Sequence, residues 1–132
     1  EAARWESDPL YWGDVRSDYP ATTTALLGAG YENTAAIYLF STIYSAAVNA
    51  CKTYTNNGKT DWYLPAANEI YRMYLNLHAT GIAPFKNNTY WSSSISKPAT
   101  SFIAEAFTVS DQTMAGYDMN SGYKYVRPVR RY

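Results

Sequence analysis

The sequence predicts an α+β domain, on three observations. Apolar residues recur at helical spacing in two segments between residues 33 and 78, alternation takes over in the last third, and no repeat, heptad run or linker divides the chain. At 132 residues, one domain is expected. A chain of that length buries roughly two thirds of the surface it exposes when unfolded, so no metal or disulfide is needed to hold it together. Cys51 is the only cysteine, which excludes an intramolecular disulfide and leaves it as a small core residue.

Residues 1–31 contain Trp5, Pro9, Trp12, Gly13, Pro20, Gly28 and Gly30, turn-formers and anchoring aromatics that predict irregular structure with one strand at most. In "NTAAIYLFSTIYSAAVNACK" the residues Ala36, Ile37, Phe40, Ile43, Tyr44, Ala47, Val48 and Cys51 fall three or four apart. That spacing predicts one long helix, capped by Asn33 or Thr34 and ending near Thr53. Asn56, Asn57 and Gly58 then supply a turn. A second, shorter helix is predicted in "DWYLPAANEIYRMYLNL", with Pro65 in its first turn and Ile70, Met73, Tyr74 and Leu77 on its apolar stripe.

Gly81, Pro84 and "KNN" mark a loop over 78–88. The phrase "TYWSSSIS", Thr89 to Ser96, neither continues a helix nor reads as a buried strand, so it is a binding loop or a brace. "SFIAEAFTV" alternates, but Phe102, Ala104 and Ala106 on one face and Ile103, Phe107 and Val109 on the other leave the buried side open. Residues 110–124 have no clean period and are expected to be loop or ragged strand. In "YVRPVRRY", Pro128 cannot donate to a ladder and marks an edge or a bulge. Two helices and a small late antiparallel sheet are therefore expected.

Charge and chemistry exclude several functions. With 11 basic and 11 acidic residues the chain lacks the basic face that nucleic acid or an anionic membrane attracts. No run of about 18 apolar residues predicts a membrane span, so neither a nucleic-acid partner nor membrane insertion is expected. The opening "EAARWESD" is not a signal peptide, and a chain that starts without Met leaves export open. His78 is the single histidine, and Cys51 lies on a helical apolar stripe. With no phosphate loop or nucleophile elbow either, no catalytic residue, metal or cofactor is expected. Glu105, Asp111 and Asp118 could pair as carboxylates for glycan chemistry, which is the enzymatic alternative. Arg127, Arg130 and Arg131 read as a solvated edge or ion-pair partners rather than a phosphate grip. The outlier is aromatic content: 14 Tyr, 4 Trp and 4 Phe either fill a Leu-poor core or supply a binding surface.

In order along the chain, "GAGYENTAAI", "DWYLPAANEI", "TYWSSSIS" and the terminal "YVRPVR" resemble the C-type lectin-fold domains of bacterial surface proteins, phage receptor-binding proteins and the variable proteins of diversity-generating retroelements. The resemblance covers residues 28–132 and makes 1–132 a single ligand-binding domain. It implies two helices flanking a small antiparallel sheet, with long irregular segments displaying the ligand face. Trp62, Pro65, Trp91, Ser92, Ser93, Ser94, Arg127, Pro128 and Arg130 would be framework, with Trp91 buried and the serine hydroxyls bonding local backbone.

In such variable proteins, codons late in the gene are rewritten at adenines. The resemblance places the changeable, ligand-binding positions within 90–132, at Ile95, Ser96, Ile103, Glu105, Phe107, Thr108, Asp111, Gln112, Met114, Tyr117, Asp118, Met119, Asn120 and Tyr123. Ile103, Phe107, Met114 and Met119 stand at outward positions, where a partner would have to cover them, unless two or three of them are ordinary core residues, and the sequence does not say which.

Three departures limit the carry-over. Ala66 stands where such proteins have Ser after Leu-Pro, which removes a capping hydroxyl worth about 1 kcal/mol and leaves Asn68 or Pro65 to compensate. No Glu-Pro-Asn or Trp-Asn-Asp phrase occurs, so a calcium-dependent sugar site is not expected. The related formylglycine-generating activity needs cysteines or copper that one stripe-facing Cys51 does not supply.

The expected function is non-catalytic recognition, of receptor or adhesin type. Its ligand would be a protein or glycan on another cell or surface, and its place extracellular, on a cell surface, pilus tip or phage particle. Besides the enzyme, the alternative is a structural pilus or fibre tip, which needs a flat apolar patch near Glu1 to Tyr31.

Overall fold

The computed structural model describes residues 1–14, 27–40, 45–96, 103–120 and 122–131. The chain is α+β, with helices α1 (Gly30–Phe40), α2 (Ala46–Thr53) and α3 (Ala67–Met73) preceding strands β1 (Thr89–Ser96), β2 (Ile103–Thr108) and β3 (Thr113–Asp118). A π-helical turn, Tyr74–His78, extends α3 and closes with the Ala79 amide on the Tyr74 carbonyl at 3.0 Å.

The single long helix expected over 33–53 is two helices. Ser45 is the reason at the second start: its backbone is extended, and its hydroxyl accepts from the Val48 amide at 3.2 Å, a cap that a helix interior has no use for. Ile43 and Tyr44 lie outside the described residues. α1 starts at Gly30, so Asn33 and Thr34 sit inside it and do not cap it. Its buried stripe is Gly30, Asn33, Thr34 and Ile37, half of it polar. Thr34 Oγ1 donates to the Leu64 carbonyl at 3.1 Å and accepts the Leu64 amide at 3.0 Å, which satisfies both groups in the interior.

α3 solves its missing cap from a distance. Ala66 has no acceptor, but Ser94 Oγ of β1 takes the Ala67 amide at 3.0 Å, and Glu69 Oε1 takes the Ala66 amide at 3.1 Å. Neither Asn68 nor Pro65 compensates. The same Glu69 oxygen accepts the Gly30 amide at 2.7 Å, which fixes the start of α1 against the start of α3.

The sheet is antiparallel in the order β1-β2-β3. "TYWSSSIS" is a buried strand, contrary to the sequence reading: every residue from Tyr90 to Ile95 is buried. Between Trp91↔Ala106 and Ile95↔Ala104 the register shifts, so the serines bulge out of the ladder and their hydroxyls replace its bonds. Residues 110–124, expected to be loop or ragged strand, contain β3 with a tight turn before it, where Gln112 takes φ 54°.

The C-terminal segment runs along the other side of β1, with the Trp91 amide on the Tyr125 carbonyl at 2.9 Å. It then lies beside the N-terminal segment: Ala3 N–H to Pro128 O at 2.8 Å, Ser7 N–H to Val126 O at 2.9 Å, Leu10 N–H to Lys124 O at 2.9 Å.

Two cores result. One face of the sheet, with Trp91, Ile95, Ala104 and Ala106, packs on Ile37, Val48, Cys51, Trp12 and Met119. The other face carries Tyr90, Phe107 and Val109 against Ile70, Tyr74 and Phe85. β2 is thus covered on both sides at its Phe107 end, which is why its alternation carried apolar groups on both faces.

Candidate functional site

The fourteen positions expected to bind ligand separate into core and surface. Ile95, Phe107 and Met119 are buried, Met119 completely, and they belong to the two cores rather than to an outward platform. Met119 is held there because its carbonyl accepts the Gly13 amide at 3.2 Å, which brings Trp12 over it. Asp111, Gln112, Asp118, Asn120 and Tyr123 are exposed, and Ile103, Glu105, Thr108, Met114 and Tyr117 are half-buried. The side chain of Ser96 lies outside the description.

Cross-strand register then divides the surface set, because directly opposed residues share a sheet face. Tyr117 opposes Ala104 and sits on the side of Trp91; Met114 opposes Phe107, Gly116 opposes Glu105 and Asp118 opposes Ile103 on the side of α3. On that second side Gly116 leaves room for a neighbour's side chain. A Cβ there would collide with Cγ2 of Ile103, so the missing side chain lets Ile103 lie across β3 between Glu105 and Asp118.

The first side carries an aromatic patch that the sequence reading missed in part. Tyr123, 62% exposed, stacks on Tyr11 with ring centroids 4.3 Å apart. A hydrogen bond with Tyr123, then its charge, pushes the Tyr11 phenol up. Beside them the Lys124 ammonium lies 4.5 Å from the Trp91 ring centroid and 4.2 Å from that of Tyr117. Burial lowers its pKa. Tyr11 comes from the irregular N-terminal segment, and only the Leu10–Lys124 pairing brings it here, a contact that no local pattern announces.

Beneath this surface lies a polar brace. Ser92 Oγ donates to the Glu105 carbonyl at 2.7 Å and accepts the Ser94 amide at 3.1 Å. The Ser93 amide reaches the Pro65 carbonyl at 2.8 Å, and Ser93 Oγ accepts Asn33 Nδ2 at 3.2 Å. Trp12 Nε1 donates to the Ser92 carbonyl at 2.8 Å and Trp91 Nε1 to the Leu10 carbonyl at 2.9 Å. The hydroxyls therefore bond distant backbone as well as local backbone, and so tie β1 to β2 and α3.

The basic residues near the C-terminus are committed to contacts. Arg127 is buried, with Nε on the Ala3 carbonyl at 2.8 Å, Nη1 on the Ala83 carbonyl at 3.1 Å and its plane over Phe85. Arg130 forks onto Asp61 at 2.8 and 3.0 Å and meets Glu1 at 2.9 Å. That fork lowers the Asp61 pKa and raises that of Arg130. Arg131 pairs with Glu32 at 3.2 Å. Trp62, Pro65 and Pro128 are buried.

The three carboxylates do not all gather at one point: Glu105 and Asp118 are diagonal neighbours on one face of β2 and β3, and Asp111 stands apart from them. Asp111 lies beyond the Thr113 end of β3 and Asp118 at its other end, so about 17 Å of strand intervenes, against the roughly 10 Å limit for paired glycosidase acids. His78 is structural: its Nδ1 accepts the Phe85 amide at 2.9 Å and its ring stacks on Tyr74. Cys51 is fully buried, and burial pushes its thiol well up. Among the described residues no three His, Cys, Asp or Glu side chains gather as metal ligands, and no helix is long and apolar enough to cross a membrane.

Set against protein-family models, curated proteins and solved structures, the chain matches none.

Proposed function

We propose that the chain is a non-catalytic ligand-binding domain with a C-type lectin-like fold, displaying a changeable surface to a protein or glycan outside the cell, as in the variable proteins of diversity-generating retroelements. The observation that carries this reading is the contrast between β3 and β1. The β3 hairpin and the residues after it put Asp111, Gln112, Asp118, Asn120 and Tyr123 in solvent, while the strand beneath spends its polar groups on internal bonds. Side chains on such a hairpin can change without leaving a buried group unpartnered. Tyr123 and Tyr11 then act as stiff aromatic anchors and the short polar residues adapt, which is the physics of a paratope.

The reading is tested by randomising Asp111, Gln112, Asp118, Asn120 and Tyr123 together and selecting binders from the library. Folded variants with melting temperatures close to the parent's and new binding partners are expected; loss of folding across the library overturns the reading. A non-coding near-copy of the region encoding residues 90–132, differing at adenines, is the genomic counterpart, and its absence would leave an ordinary binder.

A further inference from the structure

Tyr11 and Tyr123 meet for a reason that the backbone supplies. Leu10 and Lys124 exchange both of their amide–carbonyl hydrogen bonds, each at 2.9 Å, and so form a hydrogen-bonded antiparallel pair. One step along, 11 and 123 are the next opposed positions, of the kind without ladder bonds of their own, where the two chains come nearest and the side chains share a face. Two phenol rings placed there stack, with centroids 4.3 Å apart and planes 27° from parallel. Their hydroxyls hydrogen-bond, so the rings point the same way and the ring carbons next to each hydroxyl lie alongside one another.

The other tyrosine pairs in ring contact among the described residues lack this geometry. Tyr31 and Tyr63 meet edge-on at 5.7 Å, and Tyr90, 5.7 Å from Tyr125, is 1% exposed. Tyr11 and Tyr123 are 40% and 62% exposed, so an oxidant in solution reaches both rings. Stacked phenols are also the arrangement in which phenoxyl radicals combine. A one-electron oxidant takes an electron from each phenol, and each hydroxyl proton leaves to water. The two radicals then join at the ring carbons beside the hydroxyls, forming one C–C bond, and the hydrogen on each of those carbons moves to the phenoxyl oxygen, which restores both rings. Two electrons and two protons are lost in all, and one molecule of hydrogen peroxide takes them up and becomes two of water. Holding the rings together makes the combination a step within one molecule, where well-oriented groups reach effective concentrations of about 10⁵ M and above.

We infer that Tyr11 and Tyr123 are an oxidative modification site, at which a one-electron oxidant of the haem-peroxidase class, driven by peroxide, couples the two rings into dityrosine and so staples the N-terminal segment to the C-terminal segment. The new bond lies beside the Leu10–Lys124 rung and closes nearly the whole chain into a covalent loop. The inference stands whether or not these rings touch a ligand.

The test is treatment of the whole chain with a haem peroxidase and hydrogen peroxide, followed by dityrosine fluorescence, size separation under denaturing conditions and mass mapping of peptides. The expected product is a monomer lighter by two hydrogens, with residues 11 and 123 joined, formed at a rate per molecule that does not change when the protein is diluted tenfold. Tyr11→Phe and Tyr123→Phe, both at exposed positions, should each lower the monomer's dityrosine fluorescence at least tenfold. Tyr71→Phe, an exposed ring that meets Phe107, should leave it unchanged. The stapled chain should unfold at a higher urea concentration than the untreated chain, because a cross-link over so long a loop restricts the unfolded state. No coupled monomer, coupling only between molecules, a joint mapped to another pair of tyrosines, or a staple that leaves the urea midpoint where it was would each overturn the proposal.

Discussion

Gly30→Ala is the sharpest test of how the two helix starts are joined. Gly30 begins α1 with ordinary helical backbone, so propensity alone predicts that alanine stabilises by about 1 kcal/mol. The packing predicts the opposite. A Cβ at this position would lie 2.7 Å from the Ala66 nitrogen and 2.9 Å from the Leu64 oxygen, and closer still to Glu69 Oε1. Ordinary contact begins near 3.4 Å, so two backbone atoms must retreat by about 0.7 and 0.5 Å. Both are already bound, Ala66 N–H to Glu69 and Leu64 within the Thr34 exchange, and neither can swing aside as a flexible side chain would. Overpacking of this kind costs about 1–3 kcal/mol, and loss of the Gly30 amide bond to a carboxylate adds about 1–2 kcal/mol. After the propensity gain the net loss is about 1–4 kcal/mol. For a domain of this size that is a fall in melting temperature of roughly 4–16 °C. Thermal and urea unfolding of the single variant measure it. An unchanged or raised melting temperature would refute the claim that Glu69 pins α1 to α3.

Ser94→Ala should destabilise by about 1–2 kcal/mol in urea unfolding, because the Ala67 amide loses its acceptor in the interior, whereas Ser110→Ala, whose hydroxyl meets only exposed Asp111, should fall within about 0.5 kcal/mol of the parent. Met119→Ala should cost about 2–5 kcal/mol as a cavity mutation and Asp111→Ala almost nothing, so equal effects in the same assay would contradict the division of the hairpin into core and surface. Burial, then the charge of Glu69, pushes the Tyr63 phenol up from 10.0 to about 12. The folded chain therefore holds that proton where the unfolded chain releases it; the contribution is complete below pH 10 and is lost between pH 10 and about 12. Tyr63→Phe should flatten the decline in stability measured over that window.

Local pattern and long-range contact divide what the sequence disclosed. α2 was legible because Ala47, Val48 and Cys51 repeat at helical spacing and are all buried. The buried face of α1 was not, since Asn33 and Thr34 belong to it and an apolar period cannot register polar residues whose partners, Ser93 and Leu64, are dozens of positions away. "TYWSSSIS" failed as a strand for the same reason: serines look solvent-facing until the Pro65 carbonyl, the Glu105 carbonyl and the Ala67 amide are folded against them. In the candidate site, the exposed polar residues of the hairpin could be picked out from their type alone. Met119 and Phe107 could not, because their cover comes from Trp12 and from α3. Tyr11 entered the surface only through backbone pairing with Lys124.

The side-by-side course of the two terminal segments sets how the domain meets mechanical load. Tension pulling Glu1 away from Arg130 acts across the Glu1–Arg130, Ala3–Pro128, Ser7–Val126 and Leu10–Lys124 bonds and reaches them one after another, like the teeth of a zip. Tension between one end and the β3 hairpin runs instead along strands joined by many parallel rungs, which must yield together. A tether at a single end would therefore leave the domain folded under drag that would peel it open if both ends were anchored apart.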